Sequence, residues 1–144
     1  MEIKYAIGKQ SPLINDALSI RQQVFIKEQG FNPLLEIDKY DDVALHIVAY
    51  TNNEPVGVAR LIFKENGKAK IGRVAVLKAY RQSGVGKQLI EFLINYAQQH
   101  HLSELNLSSQ LQAKHFYTKL GFQPQSEVYL EEEVEHISMV LPIS

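Results

Sequence analysis

The chain has 144 residues, 45% of them hydrophobic, enough for one folded domain with a core and too few for two ordinary ones. Its net charge of −1 gives no basic field for nucleic acid or a membrane surface. Cysteine is absent, which excludes disulfides, thiolate metal ligands and a cysteine nucleophile. The start, Met1-Glu2-Ile3-Lys4-Tyr5, lacks the apolar core of a leader, and no run approaches membrane-spanning length, so a soluble cytoplasmic protein is expected.

Taken in chain order, the elements alternate without an internal repeat. Ile3, Tyr5 and Ile7 alternate with polar residues, as in a strand with one buried face. Ser11-Pro12 offers a helix cap and a first-turn proline, and Leu13, Ile14, Ala17, Leu18 and Ile20 follow at helical spacing. Residues 28 to 42 are irregular and acidic, and predict a loop or a broken helix on the substrate side. Val43–Tyr50 and Val56–Phe63 predict strands joined by the turn Asn52-Asn53-Glu54-Pro55. A second turn at Glu65-Asn66-Gly67-Lys68 leads into a strand over Ala69–Val76, which completes an antiparallel meander.

A helix follows, with Leu89, Ile90, Leu93, Tyr96 and Ala97 on one face and an end near His101. Leu105 and Leu107 mark another strand; Ala113, Phe116, Tyr117 and Leu120 mark a short helix stopped by Gly121. The strand–helix–strand crossover from Val74 to Leu107 implies one parallel pair inside a sheet otherwise mostly antiparallel. The expected fold class is mixed α/β, a single domain over residues 1–144 with one central sheet.

Between that strand and helix lies the segment with most chemistry, Val74 to Lys87. An apolar strand runs into a basic, glycine-bearing turn, and the helix begins at once. Helix N-termini present unpaired N–H groups and the positive end of a dipole, which suits a phosphate. Gly84 and Gly86 carry no Cβ to keep an anion away, and Arg81 and Lys87 add charge. A P-loop does not fit, because Arg81 occupies its first glycine position and Gln88 replaces its magnesium-binding hydroxyl. A dinucleotide fingerprint is weak, because Leu89 stands where a small residue is needed.

What remains, Arg-x-x-Gly-x-Gly over Arg81–Gly86, resembles the coenzyme A pyrophosphate loop of the GNAT acyltransferase superfamily. Three further stretches are similar to small bacterial members: Arg21–Gln29, the run from Ala113 to Phe122, and Glu135–Met139. They stand in the family's order from residue 21 to residue 139. The resemblance implies the GNAT fold: a mixed, mostly antiparallel sheet with a splayed parallel strand pair and helices on both faces.

It also implies acetyl transfer to a primary amine by direct attack in a ternary complex, with acetyl-CoA as cosubstrate and coenzyme A released. Backbone N–H groups of Gln82, Ser83, Gly84, Val85, Gly86 and Lys87 would cradle the pyrophosphate, helped by Arg81. The pantetheine arm would pair with the Val74, Ala75, Val76 strand, and an N–H at Ala75 or Val76 would meet the developing oxyanion. Tyr117 would be the acid for the thiolate.

The base would be His136, which matches the histidine of glyphosate and D-amino-acid N-acetyltransferases, although Glu135 replaces the proline before it. Glu28 is the rival base. Arg21 and Arg73 match arginines that hold an acceptor's acidic group in glyphosate-acetylating relatives, whereas Gln110 stands where a third would be. The expected acceptor is therefore a small anionic amine, an amino acid or an aminosugar phosphate. His46, His100, His101 and His115 show no metal spacing, and no metal is expected. A helix edge and strand faces permit a homodimer. Two other functions stay open: a protein or peptide N-acetyltransferase, drawn to a cationic chain by the acidic loop Glu36–Asp42, and a coenzyme A-binding regulatory module without efficient catalysis.

Overall fold

The computed structural model describes residues 1–144, apart from the side chain of Leu35. The chain forms two compact units, Met1–Ile62 with Arg73–Ile90, and Phe63–Gly72 with Glu91–Ser144.

In the first unit, β1 (Glu2–Ile7) pairs antiparallel with β2 (Leu45–Thr51), and β2 with β3 (Glu54–Phe63). Asn52 and Asn53 both take positive φ, 52° and 65°. A two-residue hairpin needs that twist, and asparagine tolerates it. The expected strand at Val43 begins instead at Leu45, because Val43 lies in the exposed end of a turn closed by its N–H on Tyr40. Helix α1 (Leu13–Arg21) starts with the Leu13 N–H bonded to the Ser11 hydroxyl at 3.2 Å. Its Leu13, Ile14, Ala17 and Ile20 join Val48, Tyr50, Val58 and Ala75 in one buried cluster.

Beyond α1 the chain winds as a π-helix over Gln22–Glu28, a rare form that often marks a functional site. A short α2 (Pro33–Glu36) follows, with Asn32 accepting from the Leu34 N–H. A 3-10 turn over Lys39–Asp42 is closed by a capping box between Asp38 and Asp41. The irregular acidic stretch is thus a broken helix.

Strand β4 (Lys68–Val76) crosses from one unit to the other at Arg73, whose φ of 51° bends the strand. Helix α3 (Val85–Gln99) carries Leu89, Ile90, Leu93 and Ala97 fully buried on one face, as its periodicity predicts. It stops where His101 turns left-handed, with the Leu102 N–H returning to the Ala97 carbonyl at 2.9 Å.

In the second unit, β4 and β5 (Glu104–Gln110) run parallel, from Lys68 opposite Glu104 to Ile71 opposite Leu107. β5 continues past that ladder, paired antiparallel along its whole length with β8 (Val134–Pro142), up to Gln110 opposite His136. β6 (Gln123–Pro124) and β7 (Tyr129–Glu131) also pair with β8, and α4 (Lys114–Lys119) lies between β5 and β6 in the chain. Strand bonding follows the order β1-β2-β3-β4-β5-β8-β6, with β7 beside β8. Side chains alternate cleanly here. Leu105, Leu107, Ile137 and Met139 are buried on one face, while Asn106, Ser108, Gln110, His136 and Ser138 share the other. Among the described residues, no helix is long and apolar enough to cross a membrane.

Candidate functional site

The turn from β4 into α3 is held by bonds within the turn and by one to β3. The Leu77 N–H bonds the Val56 carbonyl at 2.9 Å, the Tyr80 N–H bonds the Leu77 carbonyl at 2.8 Å, and the Ser83 hydroxyl donates to the Tyr80 carbonyl. Gln82 and Gly84 take positive φ, 64° and 90°. The α3 ladder begins with the Gln88 N–H on the Gly84 carbonyl at 3.0 Å. The N–H groups of Val85, Gly86 and Lys87 precede that first rung, so the helix itself cannot satisfy them. A Cβ at Gly84 would meet nothing within 4 Å. The loop therefore offers amide donors beside open space, which fits a diphosphate.

Arg81 and Glu28 hold each other. Arg81 Nη1 and Nη2 lie 2.5 and 2.6 Å from the two Glu28 carboxylate oxygens, and Arg81 Nε donates to the Val76 carbonyl at 2.9 Å. The hydrogen bond from Arg81 lowers the Glu28 pKa, and the same contact raises that of Arg81. The candidate phosphate cation and the rival base thus form one exposed pair, tying the end of the π-helix to the loop. The Ala75 side chain is buried in the core cluster, whereas Val74 and Val76 are half-buried.

The structure corrects the expectation that Arg21 contacts an acceptor. Its side chain is 0% exposed. Arg21 Nε bonds Glu36 Oε2 at 2.8 Å, Nη1 bonds Asp41 Oδ1 at 2.8 Å, and Nη2 reaches the Glu36 carbonyl at 2.8 Å. Arg60 bonds Asp38 and Asp41, with three contacts of 2.8 Å. Arg73 bonds Glu36 Oε2 at 2.9 Å and Asp38 Oδ2 at 3.3 Å. Three guanidinium groups and three carboxylates thus neutralise one another. Glu36 and Asp41 are buried in this network, whereas Asp38 keeps 29% of its side chain exposed. Arg73 keeps 27% of its side chain exposed.

Burial alone would raise the Asp41 pKa, yet the hydrogen bonds and charge of Arg21, with Arg60, hold it well below the usual carboxylate range. Asp38 behaves alike, with Arg60 overcoming its desolvation. His46 donates from Nε2 to the Asp41 carbonyl at 2.9 Å, since a carbonyl can only accept, and burial lowers its pKa.

In the second unit, the Tyr117 ring packs edge-on against Phe116 and Phe122, with centroids 4.9 and 5.9 Å away. Burial alone raises the pKa of its hydroxyl; no hydrogen bond or charge contributes. His136, 6% exposed, donates from Nδ1 to the Val134 carbonyl at 2.7 Å. That fixes the tautomer and leaves the Nε2 lone pair as the reactive one in the neutral ring. Nε2 stands 3.4 Å from Glu131 Oε2, and the Tyr129 ring stacks on the imidazole. Sequence reasoning missed Glu131 and Tyr129, because the tight turn that brings β7 beside His136 uses Glu132 and Glu133 at positive φ. Among the described residues, no cluster of His, Cys, Asp or Glu could hold a metal ion.

A family model described as an acetyltransferase (GNAT) domain matches residues 21–143. The chain belongs to the GNAT acetyltransferase family. It is similar to the uncharacterised N-acetyltransferase YjcF of Bacillus subtilis, 35% identical over 139 residues that cover 96% of this chain and 99% of YjcF. The crystal structure of Escherichia coli ElaA superposes with a TM-score of 0.86 at 30% identity, covering 97% of this chain and 99% of ElaA. An acyl-CoA N-acyltransferase from Pseudomonas aeruginosa gives a TM-score of 0.84 at 28% identity, covering 96% and 97% of the two chains. This GNAT chain is accordingly an acyl-CoA-dependent acyltransferase with the GNAT fold, and β4 and β5 are its parallel pair.

Proposed function

We propose that this GNAT protein moves the acetyl group of acetyl-CoA to the primary amine of a small anionic acceptor, such as an amino acid or aminosugar phosphate. The observation that carries the reading is the β4–α3 turn, where left-handed Gln82 and Gly84 precede unpaired helix amides beside open space. The amides of residues 82–87 bind the diphosphate, and the Val74–Val76 backbone pairs with the pantetheine arm. An N–H at Ala75 or Val76 stabilises the oxyanion.

The amine nitrogen attacks the thioester carbonyl, its proton passes to His136 Nε2, and the carbon–sulfur bond breaks. Glu131 balances the imidazolium that forms. Tyr117 gives its proton to the departing thiolate; because burial disfavours the phenolate, it stays protonated through neutral pH and serves as a donor only. Glu28 is a weaker candidate for the base, since its carboxylate is already engaged by Arg81. Arg73 is paired with Glu36 and Asp38 but is the most exposed of the three arginines, and it touches the acceptor with the part of its side chain that stays open. A protein or peptide acceptor is disfavoured, because the loop acids that would attract it are paired with Arg21, Arg60 and Arg73.

The test is thiol release from acetyl-CoA across amino acids, aminosugar phosphates, polyamines and peptides. Turnover on the anionic small amines is expected. Turnover confined to polyamines or peptides would overturn the acceptor class. Tight coenzyme A binding without turnover on any amine would favour the regulatory-module reading.

A further inference from the structure

Beside β5 and β8 lies a cavity of about 80 Å³, lined by Leu107 and by the polar Lys70, Asn106, Ser108, Gln125, Tyr129 and Ser138. That is well above the ~10–15 Å³ needed for one water. Five of these residues bring neutral hydrogen-bonding groups, and Lys70 brings the only charge in the lining. Hydroxyls of Ser108, Tyr129 and Ser138 form a chain in which Tyr129 bonds Ser108 and lies 3.3 Å from Ser138 Oγ. Hydroxyls rotate, so each can turn its proton toward a guest. A cation ringed by neutral donors selects a small oxyanion.

The cavity adjoins the base assigned above. Its Tyr129 wall stacks on His136, and its Ser108 hydroxyl lies 3.4 Å from Glu131 Oε2, the atom that faces His136 Nε2. Arg21 and Arg73 are already paired with carboxylates and Gln110 brings no charge, so none of the three holds the acceptor's acidic group by itself.

Resting on the acetyl-transfer reading, we propose that this cavity is the subsite for the acceptor's acidic group, a carboxylate or phosphate held by Lys70 and the three hydroxyls. The amine of that acceptor stands a few bonds from the acid group, within reach of His136 Nε2. Glu131 limits the charge the subsite tolerates, and favours an acceptor whose ammonium faces the carboxylate before it loses its proton.

Inorganic phosphate and acetate are the probes, titrated separately into the full chain and followed by amide and side-chain NMR shifts. Saturable shifts at Lys70, Asn106, Ser108 and Ser138 are expected, about tenfold weaker in Lys70→Met and weakened in Ser138→Ala. The stronger probe reports whether the subsite suits phosphate or carboxylate. In turnover, Lys70→Met should raise KM about tenfold for an anionic amine with kcat nearly unchanged, and leave the KM of its neutral amide derivative alone. Shifts located elsewhere, or binding unchanged in a folded Lys70→Met, would overturn the subsite. Cavity shifts without thiol release on any amine would keep the anion site and sink the acetyl-transfer reading.

Discussion

At Arg21 the difference between local pattern and tertiary context is plain. A helix-end arginine reads as a surface charge or a ligand contact. Its partners Glu36 and Asp41 lie 15 and 20 residues away, in a stretch without periodicity, so no spacing rule finds them. Removing one member of such a buried set strands the others: Arg21→Met is expected to cost about 3–5 kcal/mol in denaturant unfolding. The set also fixes the response to acid. Asp41 and Asp38 have folded pKa values below their ordinary 3.8, so they stabilise the fold above about pH 4 and lose that contribution as pH falls further. His46, lowered from 6.5 by burial, has the same sign in a higher window. Its contribution is complete above pH 6.5 and declines as pH falls below it. Melting temperature against pH should show both steps, and His46→Gln should abolish the upper one alone.

The motif around Tyr117 suggests the acid role, and burial raises the pKa of its hydroxyl. Tyr117→Phe should lower kcat at least about tenfold, with acetyl-CoA affinity nearly unchanged. Equal turnover of the two proteins would remove the acid role.

At the scale of elements, strongly periodic pieces were the readable ones. The buried face of α3 and the asparagine hairpin follow from patterns a sequence displays. The π-helix, the bend at Arg73 and the β7–β8 hairpin do not. Each needs a backbone state that its residues do not advertise; Glu132 and Glu133 lack the Asn or Gly of a standard tight turn. Gly57 was also silent, and it matters for the site. A Cβ there would stand 2.8 Å from Val85 Cγ1 and 3.1 Å from Leu89 Cδ1. The start of α3 therefore rests directly on β3, which fixes where the loop amides point. Gly57→Ala should cost about 1–3 kcal/mol and weaken acetyl-CoA binding, as measured by unfolding and calorimetry. A variant with unchanged affinity would show that the loop is positioned by other contacts.

At the scale of the whole molecule, the GNAT fold and the order of its elements were written in motifs spread from residue 21 to residue 139, and the family match over residues 21–143 agrees. The acceptor chemistry was less legible. It depends on which charges cancel inside the protein, and three arginines cancel against three acids drawn from one aperiodic loop. The most direct measurement is calorimetric titration of acetyl-CoA into the wild-type chain and into Gly84→Val, whose φ of 90° a branched side chain resists. We expect saturable uptake of one acetyl-CoA per wild-type chain and a large loss of affinity in a folded Gly84→Val. No uptake by the wild type, or equal uptake by both proteins, would contradict a diphosphate cradle at residues 82–87.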